Sequence, residues 1–241
     1  MRREPVPDLD GYLARWSALH GGLDPRQNPW VRGWLSITYR VARPLAERRV
    51  PPDALTAAGL GLAAGVAVLA MAGDRWPLAA VVLVLLSALV DSLDGAVAAL
   101  RGSARPWGAV LDSLADRCAD LLFLLALWAL GAPAWPCVVA AALTMLLEYG
   151  RASAAAAGMA GVGMITVWER PSRVILTVLA MLGAGAVPRH AGVVATVAAV
   201  AATVLATVGL GQLLPVLRRR LAGSSRADQV GDDPGGQRDE R

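Results

Sequence analysis

Six stretches of mostly apolar residues, roughly 54–73, 77–100, 107–131, 134–157, 169–187 and 190–216, take up most of the chain after residue 53. A helix needs about 20 such residues to cross a bilayer, and each stretch reaches or approaches that length. Composition agrees, since 56% of the 241 residues are hydrophobic and only 17% are charged, where water-soluble domains carry about a quarter charged. The expected fold is all-α, a polytopic membrane protein with six transmembrane helices over residues 54–216. Pro51 and Pro52 precede the first stretch, and Pro77, Pro133 and Pro136 lie near the starts of the second and fourth, where a helix tolerates a missing N–H. No internal repeat emerges, so the inverted-repeat architecture of many transporters finds no support.

All 23 basic residues are Arg. With the N-terminus in the cytoplasm, nine precede the first span, Arg101 and Arg105 fall in the second connection, and six lie in the tail, with only Arg75 and Arg189 outside. The positive-inside rule then places both termini, and the polar connections, on the cytoplasmic side of the plasma membrane. Residues 1–53 do not span. They carry amphipathic stretches in which Trp16, Trp30 and Trp34 alternate with Arg32, Arg40 and Arg43, the composition of a helix lying in the membrane interface. Residues 217–241 form a cytoplasmic tail that, from 222 onward, has almost no apolar content and is expected to be disordered. Cys118 and Cys137 have no metal-ligand spacing and give no disulfide framework. No nucleic-acid partner is expected, and the start, which lacks the apolar run of a signal peptide, is expected to leave insertion to the chain's own helices.

The acids are the strongest functional signal. Asp91 and Asp94 lie toward the end of the second stretch, and Asp112, Asp116 and Asp120 in the first half of the third. An Asp at a helix centre costs roughly 2.5–3.5 kcal/mol on insertion scales, so these carboxylates need compensation. Asp91 and Asp94 are three residues apart, Asp112 and Asp116 four, so each pair shares a helix face. A short cytoplasmic connection makes the two helices antiparallel neighbours, and four carboxylates are expected to converge. An all-oxygen cluster of this kind suits two hard divalent cations, Mg²⁺ or Mn²⁺. A structural ion network with Arg101, Arg105 and Arg117 would leave acid in excess. Asp120 reads as a helix-face acid paired to an Arg, and Glu148 either joins the site or reaches outward to the interface. Gly95, Ala98 and Gly108 are small enough to let a planar or phosphate-bearing ligand approach the helix backbone.

Read as one string, DSLDGAVAALRGSARPWGAVLDSLAD (Asp91 to Asp116) closely resembles the signature of the CDP-alcohol phosphotransferase family, D-x2-D-G-x2-A-R-x8-G-x3-D-x3-D, with seven of eight fixed positions matched. The resemblance extends from about residue 50 to 216. It implies a six-helix membrane enzyme, commonly a homodimer among membrane lipids. Such an enzyme moves a substituted phosphoryl group, usually phosphatidyl, from a CDP-linked lipid donor to a small alcohol acceptor and releases CMP. By motif position, Asp91, Asp94, Asp112 and Asp116 would hold the two cations, and Asp116 would also be the general base. Gly95, Ala98 and Gly108 would line the cytidine pocket, joined by Pro52, Asp53 and Thr56 from PPDALT, which resembles the opening of the family's first helix. The motif's Arg is Ala99 here, and Arg101 or Arg105 is the candidate to hold the donor diphosphate in its place.

A weaker resemblance, through GAVLDSLADR (108–117) and WERPSR (168–173), is to the family's actinobacterial phosphatidylinositol phosphate synthases. It implies that Arg170 and Arg173 grip a phosphate on the acceptor, a task suited to forked guanidinium donors. Those synthases carry K-A-R-A-E where this chain has Arg151-Ala152-Ser153-Ala154-Ala155, leaving Arg151 as the nearby cation. Inositol phosphate and glycerol 3-phosphate are the favoured acceptors, with an unphosphorylated polyol open. Competing readings are a catalytically impaired family member, a membrane prenyltransferase, and a cation transporter with an intramembrane carboxylate site. His20 and His190 have no assigned role, and His190 is expected at the end away from the acids.

Overall fold

The computed structural model describes residues 6–19, 22–159 and 165–231, with side chains of the last helix described through residue 221. His20 and residues 232–241 of the tail lie outside the described residues. Eight α-helices account for most of them: α1 Leu9–Leu19, α2 Pro29–Glu47, α3 Pro52–Ala72, α4 Trp76–Arg101, α5 Pro106–Ala129, α6 Ala134–Ala156, α7 Arg170–Ala186 and α8 Ala191–Gly231. No strand occurs among the described residues.

Local chemistry sets the boundaries. Proline stands within the first two positions of α3, α4, α5 and α7, where its fixed φ favours helix and its missing N–H costs nothing. α4 ends at Gly102, which is left-handed at φ 60°, while Ser103 N donates to Ala98 O at 2.9 Å, the glycine-terminated cap common at helix ends. The last helix departs from expectation. It continues to Gly231, past the expected boundary at 216, because Arg218, Arg219, Arg220, Leu221 and Ala222 are strong helix formers and extending a formed helix is far easier than starting one.

Four helical segments are long and apolar enough to cross a membrane: Pro52–Ala72, Trp76–Arg101, Ala134–Ala156 and Pro188–Leu221. The other two expected spans correspond to α5, which carries Asp112, Asp116, Arg117 and Asp120, and to α7, which has only 17 residues.

α3 packs against both α4 and α5, α7 against α4 and α8, and α6 against α8. α4 and α5 make little backbone contact, α3 packing closely on both, and their acid-bearing faces meet through side chains as expected of antiparallel neighbours. Small residues allow the close packing elsewhere. Ala195, Ala198, Ala199, Ala202 and Ala206 bury one face of α8, and a Cβ built on Gly185 of α7 would meet Leu78 N of α4 at 2.8 Å. That approach fixes the α4–α7 crossing whose other end carries the site.

The N-terminal segment is two helices rather than one. Tyr12, Leu13, Leu35 and Tyr39 form a second core with Leu93, Val97, Ala99 and Leu100 of α4, and Arg15 Nη1 donates to Ala99 O at 3.0 Å and Leu100 O at 3.3 Å. Trp34, Ile37 and Val41 remain exposed on α2.

Candidate active site

Asp91 and Asp94 project from α4, Asp112 and Asp116 from α5. Carboxylate oxygens of Asp91, Asp112 and Asp116 lie within 4.8 Å of one another. Asp94 is not in this trio. It is turned toward α3, where Thr56 Oγ1 donates to its Oδ2 at 2.5 Å and Gly95 N to its Oδ1 at 2.5 Å. The structure thus gathers three of the four expected carboxylates and holds the fourth beside them.

The counter-charge arrives from α7. Arg170 places Nη2 2.9 Å from Asp91 Oδ1 and Nη1 2.5 Å from Asp116 Oδ1, bridging α4 to α5. Arg117 Nη2 also reaches Asp116 Oδ2 at 3.5 Å, and two guanidiniums against three clustered carboxylates still leave excess negative charge. Asp116 Oδ1 is moreover buried without a hydrogen bond among the described residues, the Arg170 contact lacking hydrogen-bond geometry. An acid-rich, oxygen-only donor set with such an orphaned atom fits a hard divalent cation.

Two cavities meet at this cluster and share Asp94, Gly95 and Asp112. The first, about 200 Å³, is lined at the start of α3 by Pro52, Asp53 and Thr56, on α4 by Gly95 and Ala98, and on α5 by Gly108. The connection adds Arg105 and Ser103, whose Oγ is buried without a partner among the described residues. The second is a largely apolar groove of about 950 Å³ between the α1–α2 pair, α4 and α7, with Trp16, Trp34, Ala99 and Ile175 in its walls.

The arginines separate by environment. Arg105 Nη2 pairs with both oxygens of Asp53 at 2.8 Å and lines the first cavity. Arg101 instead donates to Val50 O at 2.9 Å and lines neither cavity. Arg151 is paired with Glu169 and donates to Thr166 Oγ1 at 3.3 Å. Arg173, expected at the mouth of the site beside Arg170, is instead 4% exposed. It lies inside the bundle, 2.7 Å from Asp120 Oδ2 and 2.6 Å from Glu148 Oε1, where two acids need more counter-charge than one arginine supplies. Arg117 completes this lattice at 2.9 Å from Glu148 Oε2. Asp120 and Glu148 thus hold arginines rather than joining the trio. Sequence reading missed the Arg170 bridge, whose one signal was its place at the first turn of a helix three residues before a second Arg. Exposed His190 sits in the turn Pro188–His190 between α7 and α8, away from the acids.

Glu169, just before α7, is pushed up by burial, but hydrogen bonds from Arg151 and from the Thr166 amide and hydroxyl outweigh this and hold its carboxyl below the usual glutamate range.

A family model for CDP-alcohol phosphatidyltransferase matches residues 49–210, and the chain belongs to that family. The phosphatidylinositol phosphate synthase of Mycobacterium marinum is 38% identical over 157 residues, covering 62% of this chain and 64% of that enzyme. The Mycolicibacterium smegmatis enzyme of the same name is 34% identical over 160 residues, 63% of this chain and 69% of its own. The crystal structure of Mycobacterium tuberculosis phosphatidylinositol phosphate synthase with CDP-DAG bound superimposes with a TM-score of 0.61 at 25% identity, over 86% of this chain and 99% of the other. A manganese and citrate complex of that enzyme gives the same TM-score and identity over 85% and 93%. The match spans 64% of the length of the M. marinum enzyme, less than two thirds. Family membership displaces the transporter and prenyltransferase readings.

Proposed function

We propose that this chain transfers a phosphatidyl group from CDP-diacylglycerol to a small phosphorylated alcohol, inositol phosphate being favoured and glycerol 3-phosphate next, releasing CMP for phospholipid synthesis. The observation that carries the reading is the junction of a small pocket and a wide apolar groove at one carboxylate–Arg170 cluster. The relatives' names favour inositol phosphate.

The pocket at the start of α3 takes the cytidine and its first phosphate against Gly95, Ala98 and Gly108, whose small side chains admit the ligand to the backbone. Arg105 holds the diphosphate. The groove between α2 and α7 takes the acyl chains. Arg170 grips the acceptor phosphate and Asp116 orients the acceptor hydroxyl. That hydroxyl oxygen attacks the β-phosphorus, the bond from β-phosphorus to the CMP oxygen breaks, and the hydroxyl proton passes to Asp116. Asp91, Asp112 and Asp116, with Asp94 beside them, would hold divalent cations, whose chemistry when bound is to neutralise charge on the phosphoryl oxygens and the leaving group. Positioned proton transfer of this kind contributes about 10² to 10⁴ in rate.

Six spans belong to this reading, the four long apolar helices being joined by α5 and α7. α5 turns its acids inward while Leu114, Leu121, Leu125 and Trp128 stay exposed, and α7 likewise exposes Ile175, Leu179 and Leu182; such apolar outer faces belong against lipid. Trp34, Ile37 and Val41 of α2 lie in the cytoplasmic interface. Both termini and the site face the cytoplasm of the plasma membrane, and the chain works as a homodimer.

Detergent-purified full chain with Mn²⁺ is offered CDP-diacylglycerol and, separately, inositol phosphate, glycerol 3-phosphate, free inositol and glycerol, and CMP is measured. Metal-dependent release with a phosphorylated acceptor alone supports the reading. Release only with an unphosphorylated acceptor overturns the acceptor class, and none with any acceptor overturns the transfer.

A further inference from the structure

Asp116 and Arg170 must keep a fixed relation for the proposed transfer, yet they stand on helices whose backbones barely meet. α7 packs on α4 and α8, its contact with α5 is slight, and α6 and α7 do not form a packed pair. Side chains make the connection instead. Arg117 and Asp120 of α5, Glu148 of α6 and Arg173 of α7 form a charge-balanced lattice of two arginines and two acids directly behind the carboxylate trio.

Glu148 is its hub. Its Oε2 lies 2.9 Å from Arg117 Nη1 and its Oε1 2.6 Å from Arg173 Nη2. Both arms lead to the site. Arg117 Nη2 reaches Asp116 Oδ2 at 3.5 Å. Arg173 lies one helical turn from Arg170, and it is anchored further by Asp120 Oδ2 at 2.7 Å and Trp168 O at 3.0 Å.

We propose that Glu148 is a positioning residue, setting the base-bearing face of α5 against the Arg170 face of α7 through Arg117 and Arg173. Buried ion networks are poor devices for stability alone, since apolar replacements of similar volume are often as stable or more so. Fixing two helices whose own contact is slight is a task for which directional contacts suit better. The proposal rests on the functional reading for what Asp116 and Arg170 do, though the arrangement it describes is open to a binding measurement that needs no turnover.

The test is Mn²⁺ affinity of the purified full chain, from the electron paramagnetic resonance signal of free Mn²⁺, in wild type, E148Q, R117Q, E148D and the R117Q/E148Q double variant, with thermal melts alongside. Partners behind metal ligands change affinity by about 10- to 100-fold. E148Q and R117Q are each expected to weaken Mn²⁺ binding about tenfold, the double variant no further than either, and E148D only a few-fold. R117Q is the discriminating variant, because loss of a positive charge beside the acids would by field alone tighten cation binding. Tighter binding by R117Q, unchanged binding by E148Q, or losses that multiply in the double variant would overturn the positioning role. Where E148Q proves unfolded, E148D and R117Q decide by the same signs. This pattern among the variants, with wild-type protein releasing no CMP, would sink the functional reading and leave the positioning role standing.

Discussion

Arg170 and Arg173 stand one turn apart on α7 and meet different acids: Arg170 bridges Asp91 and Asp116 in the cluster, while Arg173 is 4% exposed between Asp120 and Glu148. Their substitution should therefore fail differently. Arg173→Ala leaves two acids in the bundle with one arginine fewer, and breaking a buried pair from one side costs about 3–5 kcal/mol, so the melting temperature in detergent should fall sharply. Arg170→Ala, at the more exposed of the two sites, should lower the melt less and raise KM for the phosphorylated acceptor about 10-fold or more, with the donor KM little changed. Equal melting of the two variants would contradict the assignment.

Asp116→Asn keeps the shape of the side chain and removes its capacity to take a proton. Transfer should drop by about 10² to 10⁴, while expression in the membrane fraction and the melt remain as in wild type. Near-normal turnover in this variant would remove Asp116 as the base.

Much of this was legible because the acids are so costly in apolar helices. The spacing of Asp91, Asp94, Asp112 and Asp116 announced a cluster, and the small residues Gly95, Ala98 and Gly108 line one cavity with Pro52, Asp53 and Thr56. What sequence could not supply was the direction of each side chain. Asp94 shares a face with Asp91, yet Thr56, distant in sequence, turns it toward α3. Arg170 and Arg173 share helical spacing, and only the neighbouring α5 and α6 decide which faces the cluster. The short connection made α4 and α5 neighbours, and their acid faces do meet, but nothing in the connection announced that α3 would pack closely on both.

Glu169 gives a pH dependence outside the membrane. Burial raises its pKa, hydrogen bonds from Arg151 and Thr166 lower it, and the net shift is downward. A depressed carboxyl stabilises the folded segment above the ordinary glutamate pKa, and this contribution is lost as pH falls through the folded value. Amide exchange at residues 165–169, corrected for its intrinsic pH dependence, should show protection that declines below about pH 4. Glu169→Gln should lack that acid-dependent step, and persistence of the step in the variant would assign it to another group.

Ala99 leaves the family motif without its arginine, and the structure distinguishes the two candidates to replace it. Arg105 lines the small pocket and pairs with Asp53, both side chains being substantially exposed at 54% and 35%. Exposed pairs of this kind are worth about 0–1 kcal/mol, so a diphosphate can draw the guanidinium away from Asp53 with little opposition. Arg101 is spent on the Val50 carbonyl, holding the end of α4 to the start of α3. Arg105→Ala should raise KM for CDP-diacylglycerol about tenfold, on the scale of a charge-assisted contact to phosphate, and leave the acceptor KM unchanged. Arg101→Ala should change neither KM by more than about twofold, since it loses one surface hydrogen bond. Steady-state kinetics varying each substrate in turn would decide, and a donor effect confined to Arg101→Ala would move the diphosphate contact to the end of α4.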